Sequence, residues 1–453
     1  MRSQVAIETL DEGKVPRTIF SLIWPVVIQE SAWGVLAMVT TFLVGKFGAP
    51  AITAVGLGEN ITHLPEVAFA GISVGATAII ARQIGAGESN QVGRTVQQVM
   101  LLSIILGVIF AVVWWFLAEP LLLVFRARPE VLPLGKEYIR INAPFTVCFF
   151  VLYGGESLMR GSGDTRTPMM ISIGVELFGT ALAIALIRGF WFIPALGVTG
   201  AALARAAVSL VGAATVMILL VRGRGLLKWD LRTAHKFDPV TVKRILRIGL
   251  PAFVEQAQMR AAMTIYQIII SGLGTTVYAA HALAMRVEEF AFLPAWGFSI
   301  AATTLVGQCL GARRPDLAEK SASLAQRYCL IAMVALGLVT FVLGERLIDL
   351  FIDDPEVVRL GALGLRIWAF AMPGMAINQT LAGALRGAGD TRWVLLLSTI
   401  GMWTMRVGGG ALLVFAFNLG AAGAWTGAVL DHTIRAAIIW WRFHGGKWKT
   451  IKV

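Results

Sequence analysis

The chain has 453 residues, of which 57% are hydrophobic and only 15% charged, with mean hydropathy +0.74. A soluble domain carries about a quarter charged residues, so the composition argues against a soluble fold. The net charge of +12 does not point to nucleic acid, because the basic residues lie between apolar segments and form no patch with interleaved aromatics.

In chain order, a charged start over 1–17 lacks the apolar core and small-residue cleavage site of a signal peptide and reads as a cytoplasmic tail. Apolar runs then fall at 18–45, 52–84, 92–118, 131–159, 167–188 and 194–221. A polar, basic stretch over 222–247 with Pro239 reads as a linker. A second set follows at 248–272, 276–310, 318–343, 356–385, 392–417 and 419–443, and 444–453 forms a second cytoplasmic tail. About 20 helical residues match the roughly 30 Å hydrocarbon core, and backbone in that core must satisfy its own hydrogen bonds, so these runs predict twelve transmembrane helices. Cys148, Cys309 and Cys329 sit inside apolar runs at no metal-ligand spacing and read as buried thiols.

Short loops rich in Lys and Arg stay cytoplasmic. The dense group Arg222, Arg224, Lys228, Arg232, Lys236, Lys243, Arg244 and Arg247 shares a side with Arg2, Arg160, Arg386 and Lys452, whereas the opposite side carries the acidic loop of Glu345, Asp349, Asp353, Asp354 and Glu356. Both termini are therefore expected inside. Contact with anionic membrane lipid is a second use for the basic excess.

The chain repeats itself. Leu158-Met-Arg-Gly-Ser-Gly-Asp-Thr-Arg166 returns as Ala384-Leu-Arg-Gly-Ala-Gly-Asp-Thr-Arg392, and the same shift of 226 carries Pro25 to Pro251, Gly71 to Gly297, Thr77 to Thr303 and Arg140 to Arg366. An even number of helices per unit gives both copies the same polarity in the membrane, so the halves 18–221 and 248–443 form a parallel repeat about an axis along the membrane normal. Duplicated halves that rock around a shared site are how secondary transporters alternate access, and no Gly-x4-Gly-Lys-Ser/Thr nucleotide loop occurs.

At Trp24-Pro25 and Leu250-Pro251, at the two Gly-Asp-Thr-Arg loops, and in Ala280-His-Ala-Leu-Ala-Met-Arg-Val-Glu288 continuing to Ser299-Ile-Ala-Ala-Thr-Thr-Leu-Val-Gly-Gln308, the sequence resembles the multidrug and toxic compound extrusion (MATE) family. The resemblance implies an all-α membrane fold of two six-helix lobes in a V, cation-coupled antiport, and amphipathic, mostly cationic substrates. It also departs from the family. Where many members carry a first-helix Asp this chain has Thr40, and an Asn/Asp pair of the fifth helix falls on Gly179 and Ala183.

A charge in hydrocarbon costs several kcal/mol unless paired or wetted, so intramembrane acids are the candidate sites. Glu255 and Gln256 follow Pro251, where a broken helix exposes backbone carbonyls, and Arg260 lies one turn on. The resemblance gives Glu255 a role in binding Na⁺ or H⁺, as members use an acid in this helix. Glu288, beside Arg286 and Glu289, is a second candidate, and Arg260 and Arg286 are expected as charge partners, with static helix-fixing pairs as the alternative. In the first half Gln29 and Glu30 occupy the repeat places of Glu255 and Gln256, and Glu30 substitutes for the missing first-helix acid. Glu59, His63 and Glu66 share a helix face; Glu66 and Glu176, with Gln29 and Gln256, are expected to line the substrate cavity. Glu156 to Arg160 and Asp431 to Arg435 are spaced i to i+4 for local pairs, and Asp164 and Asp390 are placed to cap helices.

These readings converge on a monomeric antiporter exporting small organic cations for Na⁺ or H⁺, with no organic cofactor and no nucleic-acid partner. The rival is a flippase for an anionic lipid-linked precursor, served by Arg205, Arg260, Arg286 and Arg406; a membrane enzyme would need a nucleophile set or metal-ligand spacing that is not found.

Overall fold

The computed structural model describes residues 12–190, 194–223, 225–230 and 236–451, and gives no side chains for 12 and 33–38. Residues 1–11 of the expected tail over 1–17, with Arg224, Arg232 and Lys452, lie outside the described residues, and the first long helix begins within that tail at Val15. The described chain is helical throughout. The twelve expected spans are α1 (Val15–Val44), α2 with α3 (Ala49–Thr62 and Pro65–Gly85), α4 (Ser89–Val124), α5 with α6 (Leu132–Asn142 and Thr146–Gly161), α7 (Arg166–Arg188) and α8 (Gly197–Arg222). In the second half they are α9 (Pro239–Ser271), α10 (Thr275–Gly311), α11 (Pro315–Asp349), α12 with α13 (Pro355–Ala369 and Met372–Gly387), α14 (Thr391–Ile400) running through a π-helical stretch into α15 (Gly410–Phe415), and α16 (Gly420–His444).

Among the described residues six helical stretches are long and apolar enough to cross a membrane by themselves, and α12 with α13, bent by 52°, makes a seventh. Other spans carry the ionisable residues of interest: α9 holds Glu255 and Arg260, and α6 holds Glu156 and Arg160. Their polarity is the reason composition alone undersells them. Proline sits at or near the breaks, with Pro65 opening α3 and Pro373 near the start of α13, because it removes a backbone donor and clashes with the preceding turn.

Two compact units emerge. The first is built from residues 28–246, the second from residues up to Val27 together with 247 onward. This boundary differs from the expected lobe of 18–221: α1 as far as Val27 belongs with the second unit, where Val15, Ile19, Leu22 and Ile23 join the apolar core of Phe298, Leu305, Trp368 and Trp425. Likewise, described residues up to Leu246 in the expected linker belong with the first unit.

Within each unit the repeat is visible as identical chemistry. Thr77 Oγ1 on α3 donates to the Ser157 carbonyl of α6 at 3.1 Å, and Thr303 Oγ1 on α10 donates to the Gly383 carbonyl of α13 at 2.8 Å, again 226 residues on. Gly161 permits the first contact, since a Cβ there would sit 2.8 Å from the Thr77 carbonyl oxygen. Gly387 plays the same part against Thr303. Small residues at such crossings let helix backbones approach closely in a membrane bundle, where no hydrophobic driving force between helices exists to compensate for a poor fit.

Candidate functional site

In the second unit, Glu255 is 3% exposed, and its carboxylate Oε1 accepts from Arg386 Nη2 at 2.6 Å. Arg386 comes from the last turn of α13. The pair lines a cavity of about 240 Å³ together with Gln256, Trp296, Asn378, Ser398 and Arg435. Gln256 is half-buried on this wall. The lining mixes one ion pair, amides and a hydroxyl with two aromatic rings, Phe292 and Trp296, which is the composition of a pocket that admits a small polar or amphipathic solute.

A second charged cluster lies beside it. Asp431 on α16 is fully buried and holds Arg406 Nε at 3.0 Å and Arg435 Nε at 2.6 Å. The pairing of Asp431 with Arg435 was expected from spacing; the participation of Arg406 was not. Arg406 rides on the π-helical stretch Gly401–Gly409, donates toward His432 Nε2 at 2.8 Å, and lies over the Trp368 and Tyr266 rings at 5.4 and 5.8 Å. A π-helical turn widens the helix and re-aims its side chains, and Gly401 within it leaves room for the Asp431 and Arg435 side chains.

The expected charge partners are re-assigned. Arg260 is exposed and forms no ion pair among the described residues, and Glu255 is held by Arg386 instead. Arg286 binds Glu289 at 3.2 Å on an exposed face, with side chains 71% and 60% accessible, rather than Glu288. The physical reason is helical phase: α10 turns Glu288 inward, 8% exposed, while its neighbours on either side of the inward stripe point out. Glu288 Oε2 is buried with no hydrogen-bond partner among the described residues.

In the first unit, Gln29 is buried and its Nε2 donates to Glu156 Oε2 at 3.0 Å and to Ser172 Oγ at 2.9 Å. Arg160 Nη2 donates to the same Glu156 oxygen at 3.1 Å, the local pair expected from spacing. Glu30 is half-buried and acts electrostatically on Glu156. Glu66 lies 2.5 Å from His63 Nδ1, whose other ring nitrogen is 3.2 Å from Arg205 Nη2. Glu176 is 8% exposed, its Oε2 has no hydrogen-bond partner among the described residues, and it feels both Arg205 and Glu156. Thr40, in the place of the family's acid, is buried.

The two Gly-Asp-Thr-Arg loops differ. Asp164 caps as expected, accepting from the Thr167 amide at 3.0 Å and its hydroxyl at 2.6 Å. Asp390 makes no side-chain cap; its carboxylate takes two hydrogen bonds from Arg442 at 2.8 and 3.0 Å. Both Arg442 bonds fall on Oδ2, the oxygen that takes the Thr167 hydroxyl in the first half, and Trp393 stands at the repeat place of Thr167 with no hydroxyl to offer.

A duplicated helical membrane protein that gathers ionisable groups inside its halves belongs to the class of polytopic membrane transporters. The pattern that defines the MatE family matches residues 25–185 and 251–411, one copy in each half, and the chain belongs to that family of MATE transporters. NorM of Thermotoga maritima, described as a probable multidrug resistance protein, is 29% identical over 461 residues, covering 99% of this chain and 97% of that protein. A solved structure described as MATE in the bent conformation matches with TM-score 0.88 at 23% identity, over 96% of this chain and 97% of its own. A MOP superfamily transporter from Pyrococcus furiosus, described as having a binding pocket of reverse polarity that suggests a different function, matches with TM-score 0.85 at 23% identity and 95% coverage of each chain. The structural matches carry the twelve-helix, two-lobed fold.

Proposed function

We propose that this chain is a secondary active antiporter of the cell's inner membrane, both termini cytoplasmic, exporting amphipathic, mostly cationic organic compounds in exchange for Na⁺ or H⁺. It works as a monomer, performs no chemical conversion and needs no organic cofactor. The observation that carries the reading is the buried Glu255 carboxylate, held by one guanidinium at 2.6 Å on the wall of a polar cavity inside a membrane span. A proton or Na⁺ arriving at Glu255 competes with Arg386 for the same charge. Uptake weakens the pair and frees Arg386; release restores it. An ion with this differential effect on a helix contact is able to shift a two-state equilibrium, which coupling requires. Glu288, buried with one oxygen unpartnered among the described residues, and Glu30 are further acids for the coupling ion.

The preference for cations rests on the first unit, where Glu30, Glu59, Glu66, Glu156 and Glu176 outnumber Arg160 and Arg205. The similarity to a probable multidrug resistance protein supports the same direction. The flippase reading needs arginines free for an anionic headgroup, yet of its four Arg406 is engaged by Asp431, Arg286 by Glu289, and Arg205 meets His63, which leaves it Arg260, with no ion pair among the described residues.

The test is growth of a pump-deficient strain on dyes and fluoroquinolones with the wild-type chain and with Glu255→Gln. Protection by the wild type that the variant loses is the expected result. Equal protection by both removes Glu255 from coupling, and no protection by either, with a lipid-precursor defect on deletion, favours the flippase.

A further inference from the structure

The two halves differ on their outer surface, at one end of α4. From Val99 to Ala118 this helix is apolar but for Ser103, a length of about 30 Å that matches the hydrocarbon core. The stretch is bounded by Gln98, which holds the Lys236 carbonyl of the linker, and by Glu119. Trp115 therefore lies in the last turn of the core at the end remote from the linker, the level at which tryptophan gathers in membrane proteins. At that level Lys136 of α5 meets Glu119 at 2.5 Å. Here α4, α5 and the turn before α6 enclose a groove of about 530 Å³, whose walls include Trp115, Lys136, Glu137, Arg140, Ile141 and Pro144.

The shift of 226 carries Glu119 to Glu345 and Arg140 to Arg366, but Trp115 to Phe341, Lys136 to Ala362, Glu137 to Leu363 and Pro144 to Phe370. In the second half Arg366 pairs with Glu345 at 3.7 Å, and the Phe341 and Phe370 rings meet edge to face at 6.0 Å. There the arginine is answered by an acid, and two rings stand at the places that line the groove in the first half. In the first half Lys136 takes Glu119 instead, and Arg140 is in no ion pair among the described residues. Its guanidinium lies over the Trp115 ring at 5.8 Å, a stacking that leaves its N–H edge open to a phosphate. One turn back on α5, Glu137 accepts from Thr199 Oγ1 at 2.7 Å and is likewise in no ion pair among the described residues. The groove wall thus presents an exposed cation and an exposed anion one helical turn apart, not paired with each other.

We propose that this groove binds one phospholipid with a zwitterionic, primary-ammonium headgroup, its phosphate on Arg140 and its ammonium on Glu137. Lys136 and Glu119 cancel each other, and Arg140 and Glu137 leave the groove neutral as a whole, which suits a headgroup of no net charge over an anionic one. Arginine meets a phosphate with two parallel N–H donors, and a carboxylate takes from a primary ammonium the hydrogen bonds that a trimethylated one does not have. Toward the middle of the membrane, Val112 and Val108 continue the Trp115 face of α4 at helical spacing and are half exposed, an apolar track for the acyl chains. Binding of this lipid depends on the membrane fold alone and is independent of which ion or substrate is moved.

The experiment is native mass spectrometry of the full chain, delipidated in detergent and then given phosphatidylethanolamine, phosphatidylcholine or phosphatidylglycerol with the same acyl chains at equal concentration. Wild type, Glu137→Gln, Arg140→Gln and Arg366→Gln are compared, each checked for monodispersity. Wild type is expected to retain one phosphatidylethanolamine, favoured over phosphatidylcholine roughly tenfold, the worth of one charge-assisted hydrogen bond. Glu137→Gln should abolish that preference, Arg140→Gln should lose the bound lipid of either kind, and Arg366→Gln should match wild type. Pro144→Phe changes no charge and imitates the closed second half, so it too should lose the lipid. A phosphatidylethanolamine with a diazirine near its glycerol should label the peptides that hold 108–116 and 133–144. All the substituted charges are on exposed side chains, and the wild-type preference and the labelled peptides test the proposal even if a variant does not fold. Folded Glu137→Gln and Arg140→Gln with the wild-type lipid pattern overturn it. So do an equal loss in Arg366→Gln, a wild-type preference for phosphatidylglycerol, or labelling elsewhere. Displacement of the lipid by glycerophosphoethanolamine at equal concentration assigns the groove to a soluble headgroup, and a dimer in place of the lipid-bound monomer assigns it to a second copy; either result also overturns the proposal.

Discussion

Breaking the Glu255 and Arg386 pair from each side gives the sharpest physical test of the second-unit site. The side chains are 4% and 11% exposed and meet at 2.6 Å. With charge centres about 4 Å apart and an effective dielectric of about 20, the attraction is about 4 kcal/mol. Part of it is cancelled by the cost of removing both charges from water. Glu255→Ala strands the Arg386 charge in the cavity wall and should cost about 3–5 kcal/mol. Arg386→Met strands the carboxylate at similar cost. The double substitution removes both charges and should recover much of the loss, giving a coupling energy of about 2–4 kcal/mol. Glu255→Gln keeps an acceptor for the guanidinium and should cost less, while abolishing ion-driven transport. The assay is a double-mutant cycle on denaturant or thermal unfolding in detergent, run beside ethidium efflux from proteoliposomes under an imposed ion gradient. Strictly additive single effects, or wild-type efflux by Glu255→Gln, refute the assignment of this pair as the coupling element.

Five other substitutions have outcomes that follow from the geometry. Asp431→Asn removes the one carboxylate that holds both Arg406 and Arg435, so it should destabilise by about 3–5 kcal/mol and lower the expressed, folded fraction by size-exclusion chromatography. Gly161→Ala pushes a methyl against the Thr77 backbone and should cost about 1–3 kcal/mol in thermal unfolding, whereas Gly174→Ala, with open space around its added carbon, should stabilise by about 0.5–1 kcal/mol through helix propensity. Asp164→Ala loses a cap and should cost about 1 kcal/mol. Asp390→Ala breaks the pair with Arg442, which also lies over the Trp393 ring at 4.8 Å, and should cost more; equal effects of the two loop substitutions in the same unfolding assay would contradict the different roles assigned to them.

The fold was readable from the sequence because its two determinants are local or periodic: apolar runs of membrane length, and a shift of 226 residues that carries motifs from one half to the other. Single-side-chain pairings at short spacing were equally legible, and Glu156 with Arg160 and Asp431 with Arg435 sit as their i, i+4 spacing dictates. The unit boundary was not, since the split of α1 at Val27 depends on which core the first turns bury against and leaves no mark in composition. Nor was the partner of Glu255. Arg386 follows Glu255 by 131 residues and lies in a segment whose basic residues were used to orient the chain, so its charge had already been explained. One signal could have found it: Arg160 and Arg386 are repeat equivalents, and a position that keeps a guanidinium in both halves, while the acids around it move from helix to helix, is under a requirement stronger than membrane orientation. Orientation needs only charge on the correct side of the bilayer. An arginine that answers a buried acid in each half, whichever helix delivers that acid, is held by the electrostatics of the interior, and the carboxylates rather than the arginine are then the free variable by which two copies of one architecture came to hold different charge.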